Sequence, residues 1–325
     1  MKNYNLKKGI IFGTIAAFTI GLQPVISNAR PSIIDPYLFG AITALIEAIL
    51  FLPIFLFERH KLKKELKLSP EFNLRNTSLL HGWKKKENIK VLIIIGLSFS
   101  IVPILLYIGY ELAGAINSSL SLKSEIIFAL IFGYFILDEK ITKIQIAFCF
   151  LLFFGLMLAI TNGGFNLIEF NLGVITLLFS VGLFTLVHTL TKTRFEKNEL
   201  FPSQVGFIRN LFSGILLISI YFAIFPIENI RIVFDPNNFA FFMLMGVDYG
   251  VSLLLWYKTL TYIQIGKASI INSLTPIVSS FFSFLILGEI FTIFHLFGTV
   301  IIIFSIFMIV RKKNRFSNLK SNLTD

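Results

Sequence analysis

Ten apolar stretches of about twenty residues follow one another along this chain, near 9–28, 37–57, 91–110, 115–137, 141–160, 170–190, 204–225, 237–257, 267–288 and 291–310. Each is long enough to cross roughly 30 Å of hydrocarbon as a helix. A backbone inside lipid must satisfy its own hydrogen bonds, so such runs fold as helices. The expected fold class is an all-α integral membrane protein with ten transmembrane helices. Composition agrees: 14% of residues are charged, against about 25% in a soluble domain. The single cysteine, Cys149, lies in an apolar run and excludes a disulfide framework or a cysteine-rich metal site.

The basic residues sort by side. Of 29 Lys and Arg, 25 fall in the two tails and in segments 58–90, 138–143, 191–203 and 258–267. The alternate connections hold only Arg30 and Arg231, while Lys123 and Arg209 lie within helices. Cytoplasmic loops carry the excess of Lys and Arg, so a multi-pass cell-membrane protein with both termini cytoplasmic is expected. Segment 58–90 is expected to be a solvated basic linker at anionic headgroups, with an interfacial helix near Leu62 and Leu66. The net charge of +11 does not indicate nucleic acid, because the basic clusters are short and separated by oily runs. The opening KKGIIFGTIAAFTIGLQPVISNAR has the zones of a cleavable signal peptide. Its removal would leave nine helices and break the symmetry described next, so it is expected to stay as the first helix.

That symmetry is an internal repeat with a displacement of 150 residues. SLSLKSEIIFALIFGYFILDEKIT (119–142) faces SIINSLTPIVSSFFSFLILGEIFT (269–292), with seven of 24 positions identical and a shared ending I-L-x-E-x-x-T. Tyr107 falls against Tyr257, and PYLFGAIT (36–43) resembles PSQVGFIR (202–209). The expected units are 9–160 and 170–310, followed by a basic tail, 311–325. Five helices per unit is an odd number, so the two repeats insert with opposite orientation. Inverted repeats about a midplane site are a transporter architecture, since two similar halves can rock to give alternating access.

Thr275, Pro276 and Leu287-Gly288-Glu289 in the second repeat, with Leu137-Asp138-Glu139 in the first, carry a specific resemblance. The chain resembles the EamA family of the drug/metabolite transporter superfamily over about 9–310. The resemblance implies a central substrate cavity lined by the fourth and ninth helices, with the fifth and tenth peripheral. It also covers a Lys-x-Glu that some relatives carry where this chain has Lys123-Ser124-Glu125. Departures are Asp138 in place of Gly, Ile126 where a first-repeat proline would stand, and Phe18 and Phe184 where many members carry tryptophan.

Charges inside the hydrocarbon mark the candidate site. At 1.5 Å per residue from Ala115, Lys123 lies about 12 Å deep and Glu125 about 15 Å deep. An unpaired charge at that depth costs about 2.5–3.5 kcal/mol, so each must face a wet cavity or find a partner. Two residues of α-helix turn about 200°, so the pair is expected to point in nearly opposite directions. Glu47, near the middle of the second helix, and Asp248, near the middle of the eighth, are candidate charge-balancing or proton-coupling groups, and structural partners for Lys123. Arg209 is expected to be structural, reaching toward the inner surface. Ser119, Ser269, Asn272 and Ser273 join Lys123, Glu125 and Asp248 as expected substrate-binding residues, although small hydroxyl residues serve helix packing equally well. Pro276 is the expected hinge.

His60, His81, His188 and His295 have no metal-ligand spacing, and no nucleotide, hydrolase or HExxH motif appears. Neither cofactor nor metal is expected, and no enzymatic activity. The expected function is secondary transport of a small polar metabolite, amino-acid-like or another small organic solute, with lipid and a small-molecule substrate as partners. Homodimer formation stays open. The alternative is a non-transporting membrane scaffold or lipid-modifying protein whose charges only lock helices together.

Overall fold

The computed structural model describes residues 6–68, 78–165, 172–263 and 265–321. Ten helices long and apolar enough to span a membrane account for nearly all of them. They are α1 (Leu6–Ala29), α2 (Pro36–Leu68), α3 (Lys86–Ala113), α4 (Ala115–Leu137), α5 (Lys143–Ile160), α6 (Leu172–Glu196), α7 (Pro202–Ile224), α8 (Pro236–Tyr262), α9 and α10 (Ile293–Ser321). α9 is built of two pieces, Ile265–Asn272 and Thr275–Leu287. The start of the expected linker is helical: α2 runs on through Leu62 and Leu66 as one rod instead of yielding to a separate interfacial helix. Residues 69–77, in the middle of that linker, and 322–325, the end of the basic tail, lie outside the described residues, as does the Tyr257 side chain.

Helix pairing obeys the repeat. α2 packs against α7 and α5 against α10, each joining equivalent helices of the two halves. α1 packs on α8 as α6 packs on α3, and α1 on α9 as α6 on α4. Exchanging the halves leaves this set of pairs unchanged, as a pseudo-two-fold axis requires. Close approach is made possible by small residues, which let helix backbones meet in lipid. A Cβ on Gly298 would lie 2.5 Å from the Gly155 carbonyl oxygen, so α5 and α10 meet backbone to backbone. Phe150, Phe154, Phe297 and Phe304 remain exposed on these two helices, the surface a lipid-facing pair should present.

The shared I-L-x-E-x-x-T ending has a physical basis. Asp138 and Gly288 both take the left-handed conformation, φ 52° and 70°, that ends a helix sharply. Asp tolerates this region better than most residues, so its replacement of Gly keeps the turn. Thr142 and Thr292 then start the next helices, boxed by Gln145 and His295 three residues on. Glu289 reaches across the repeat boundary, accepting hydrogen bonds from the Ala115 and Ile116 amides at 2.7 and 3.0 Å. It thereby caps the first turn of α4, where the helix dipole favours a carboxylate.

Interhelical connections on the opposite face carry the basic residues. There the start of α3 meets the α6–α7 turn, where Lys85 donates to Glu199 at 2.8 Å. This bond, with help from Asn88 and Arg194, holds the Glu199 carboxyl below the usual range.

A candidate binding cavity between the repeats

Both α4 and α9 break in the middle, at matching positions of the repeat. In α4 the chain passes through a 3-10 turn at Leu122–Ser124; in α9 residues 273–274 form a turn between two helical pieces. Proline explains the second break. Pro276 has no N–H and crowds the carbonyl four residues back, which is that of Asn272. That oxygen is instead met by the Lys123 ammonium at 3.0 Å and by the Thr275 hydroxyl at 3.0 Å. The α4 turn occurs with Ile126 at the equivalent of Pro276, so no proline causes it.

Lys123 and Glu125 both line the same two adjoining cavities, of about 220 and 330 Å³, with no ion pair between them. Arg209, His188, Trp256 and Asn272 line both as well. The larger space runs to Glu139 and Lys192, an ion pair at 3.1 Å whose side chains are 29% and 40% exposed at the end that carries the basic loops. Toward the other end the smaller space stops at Tyr107, Tyr110 and Tyr249. Behind them Phe39 packs on Tyr107 and Phe242 at 4.7 and 5.6 Å. The Arg30 guanidinium lies over Phe39 and pairs with Glu111 at 2.7 Å, closing that end with aromatic rings and an ion pair.

Within the cavity wall the charges pair differently from the sequence expectation. Glu47 faces Arg209 at 3.8 Å, not Lys123, and accepts a hydrogen bond from Asn210 at 2.9 Å. Arg209 is buried, stacked 4.0 Å from the centre of Phe99. It belongs to the cavity and does not reach to the surface. A buried pair of this kind is costly to desolvate and needs its additional hydrogen bonds; Asn210 supplies them to both partners, accepting from the Arg209 Nε at 3.0 Å. The Asn272 side-chain oxygen is buried without a partner and sits in the same wall.

Other expected site residues fall elsewhere. Ser269 lines the larger space. Ser119 and Ser273 do not enter either lining; their hydroxyls donate to the Ile116 and Ile270 carbonyls of their own helices. Asp248 sits behind the wall, buried and close to Gln23, which does line the cavity. Pro276 lies outside both linings but sets the break that exposes the Asn272 carbonyl.

Sequence reasoning missed Gln23, Arg209, His188, Tyr249 and Trp256 as wall residues. A helical period would have found several of them. On α8 the wall residues are Tyr249, Ser252, Leu253 and Trp256, and on α3 Phe99, Val102, Pro103, Leu106, Tyr107 and Tyr110. Each set follows the i, i+3, i+4, i+7 stripe of one helix face. That signal is weak here because apolar residues populate every face of a membrane helix. Most of the wall comes from helices other than α5 and α10, with α10 reaching it only through Ile306, in keeping with the peripheral position expected of that pair.

The model of the EamA-like transporter family matches residues 7–161 and 171–311, once over each half of the bundle. The chain belongs to the EamA-like transporter family. It is accordingly a multi-pass membrane transporter. An uncharacterized transporter from Methanothermobacter thermautotrophicus is similar, at 24% identity over 312 residues, covering 93% of this chain and 85% of the relative. A solved crystal structure shares the fold with a TM-score of 0.61 at 12% identity, covering 96% of this chain and 99% of the other. Within this EamA-type bundle, two copies of one helical unit meet around the Lys123 and Arg209 cavity.

Proposed function

We propose that this EamA-type protein is a secondary transporter moving a small polar, amino-acid-like metabolite across the cell membrane by alternating access. The observation that carries the reading is the meeting of two cations, Lys123 and Arg209, with two carboxylates, Glu125 and Glu47, around one central cavity. Formally balanced charges favour a zwitterion over a net ion, since a solute with one charge would leave a group unpaired in a dry site. Lys123 has one hydrogen bond to Asn272 and can offer further donors to a substrate carboxylate, beside the Arg209 fork. Glu125 faces the substrate amine, and Asn272 Oδ1 accepts from it. The excess of Lys and Arg on the face that the larger space approaches supports a cytoplasmic position for that face and both termini. The intramembrane carboxylates couple transport to protons.

The alternative, a scaffold whose charges only lock helices, draws on the Lys123–Asn272 bond. A thermal-shift screen of small metabolites on wild type and Lys123→Ala separates the two. A ligand of the folded state adds about 2.7 kcal/mol at a hundredfold excess over Kd. The transport reading expects amino-acid-like compounds to raise the wild-type unfolding temperature and leave the variant unmoved. Absence of any ligand, with Lys123→Ala strongly destabilised, would favour the scaffold.

A further inference from the structure

We infer that Asp248 is the proton-carrying group of this transporter, held between α1 and α8 in a site that Gln23 separates from the substrate cavity. The inference rests on the transport reading and selects one carboxyl from the three inside the membrane. Glu47 is engaged by Arg209 and Asn210, and Glu125 shares the cavity wall with Lys123. Asp248 has neither kind of partner. Among the described residues no Lys or Arg forms an ion pair with it, it is only 8% exposed, and its Oδ2 is buried without a hydrogen bond.

Its surroundings come from three further helices. From α1 the Gln23 side chain lies close to it. The titratable groups that face it are Glu47 from α2 and Tyr110 from α3, with Tyr249 next to it in sequence and hydrogen-bonded to Tyr110 at 3.4 Å. Glu228 and Arg231 lie in the segment that precedes α8. An ionised carboxylate among a neutral amide, two phenols and a second carboxylate has nothing to balance it, whereas a carboxylic acid fits. The event is a simple protonation, in which one O–H bond forms on the Asp248 carboxyl and the proton comes from water.

The location supplies both access and coupling. Gln23 donates to the Ser252 hydroxyl at 3.2 Å, and both side chains line the cavity, so water there stands one side chain from the carboxyl. α1 belongs to the first repeat and α8 to the second, and Asp248 faces Gln23 across that boundary. Loss of the proton would set the Asp248 charge against Glu47 and favour parting of α8 from α2, which pack together across the same boundary. Proton release and the rocking of the halves are thereby one event.

Infrared difference spectra of the full chain in lipid nanodiscs, between mildly acidic and alkaline buffer, test the site without a substrate. The expected result is a protonated-carboxyl band that disappears in Asp248→Asn, survives in Glu125→Gln, and shifts in Asp248→Glu. The last variant guards against misfolding of the first. A band that Asp248→Asn leaves untouched, or no such band in wild type, overturns the inference. In vesicles with an internal pH dye, an equimolar mixture of L-amino acids is the transport probe. Asp248→Asn is expected to keep exchanging labelled amino acid while losing the proton flux; proton flux equal to wild type overturns the coupling. Should wild type move no amino acid, the substrate reading fails while the infrared result still decides Asp248.

Discussion

Pro276 governs where Lys123 goes. At the break in α9, Pro276 offers the Asn272 carbonyl no N–H, and the lysine of the opposite repeat meets that oxygen at 3.0 Å. Pro276 stands in the first turn of the second piece of α9, where proline is tolerated, so Pro276→Ala should change the unfolding free energy by less than about 1 kcal/mol. The same change should impair transport, because Lys123 loses its anchor and α9 its break. A Pro276→Ala protein that folds and transports at the wild-type rate would show that the break is incidental. Glu289 is the second decisive residue. Its two bonds cap α4, and loss of a cap typically costs about 0.5–2 kcal/mol. Glu289→Ala should therefore lower the unfolding free energy in that range, measured in detergent or nanodiscs. At this scale the sequence revealed the intramembrane charges but not their partners. Lys123 and Glu125 are two residues apart and line one cavity from a stretch that takes a 3-10 turn, which no proline announces. Arg209 read as a surface-seeking residue because snorkelling depends on which way a side chain faces, and depth along a helix does not specify that.

Elements were far more legible. Ten apolar runs became ten helices, because lipid leaves the backbone no other way to satisfy itself. The repeat-level ending I-L-x-E-x-x-T also held its meaning, with a left-handed cap at Asp138 and Gly288 and a boxed start at Thr142 and Thr292. What the apolar pattern hid was the length of α2, whose Lys-rich extension beyond the hydrocarbon continues the same helix. It also hid which faces meet, since lipid-facing and protein-facing residues are equally oily. Glycines supply that information. Gly155 and Gly298 bring α5 and α10 into backbone contact, and a Cβ on Gly298 would also approach the Ala159 Cβ to 2.7 Å. Gly298→Val should cost about 1–3 kcal/mol through overpacking, read as a lower unfolding temperature. Because α5 and α10 contribute almost nothing to the cavity, ligand affinity of the folded fraction should change little.

For the whole molecule, exchange symmetry and the cavity belong together. The same set of helix pairs serves both halves, so a second arrangement with the roles of the repeats reversed is built into the packing. In the arrangement seen here the aromatic layer of Phe39, Tyr107 and Phe242 closes one end, while the larger space approaches the basic face. The inversion was readable from an odd helix count and a 150-residue displacement. Cavity depth and closure were not, because they depend on side-chain volumes brought together from nine helices.

Side-specific labelling of a single cysteine tests the central claim, a central site reached from one membrane face at a time. Cys149 is the only native cysteine, so Ser269→Cys in a Cys149→Ala background places one thiol in the wall of the larger space. A membrane-impermeant maleimide applied to the cytoplasmic face of inside-out vesicles should label it, and an amino-acid-like ligand should slow that labelling. A thiol that stays unlabelled from both faces, in protein shown to be folded, would contradict the account and leave the charges of this bundle with a purely structural role.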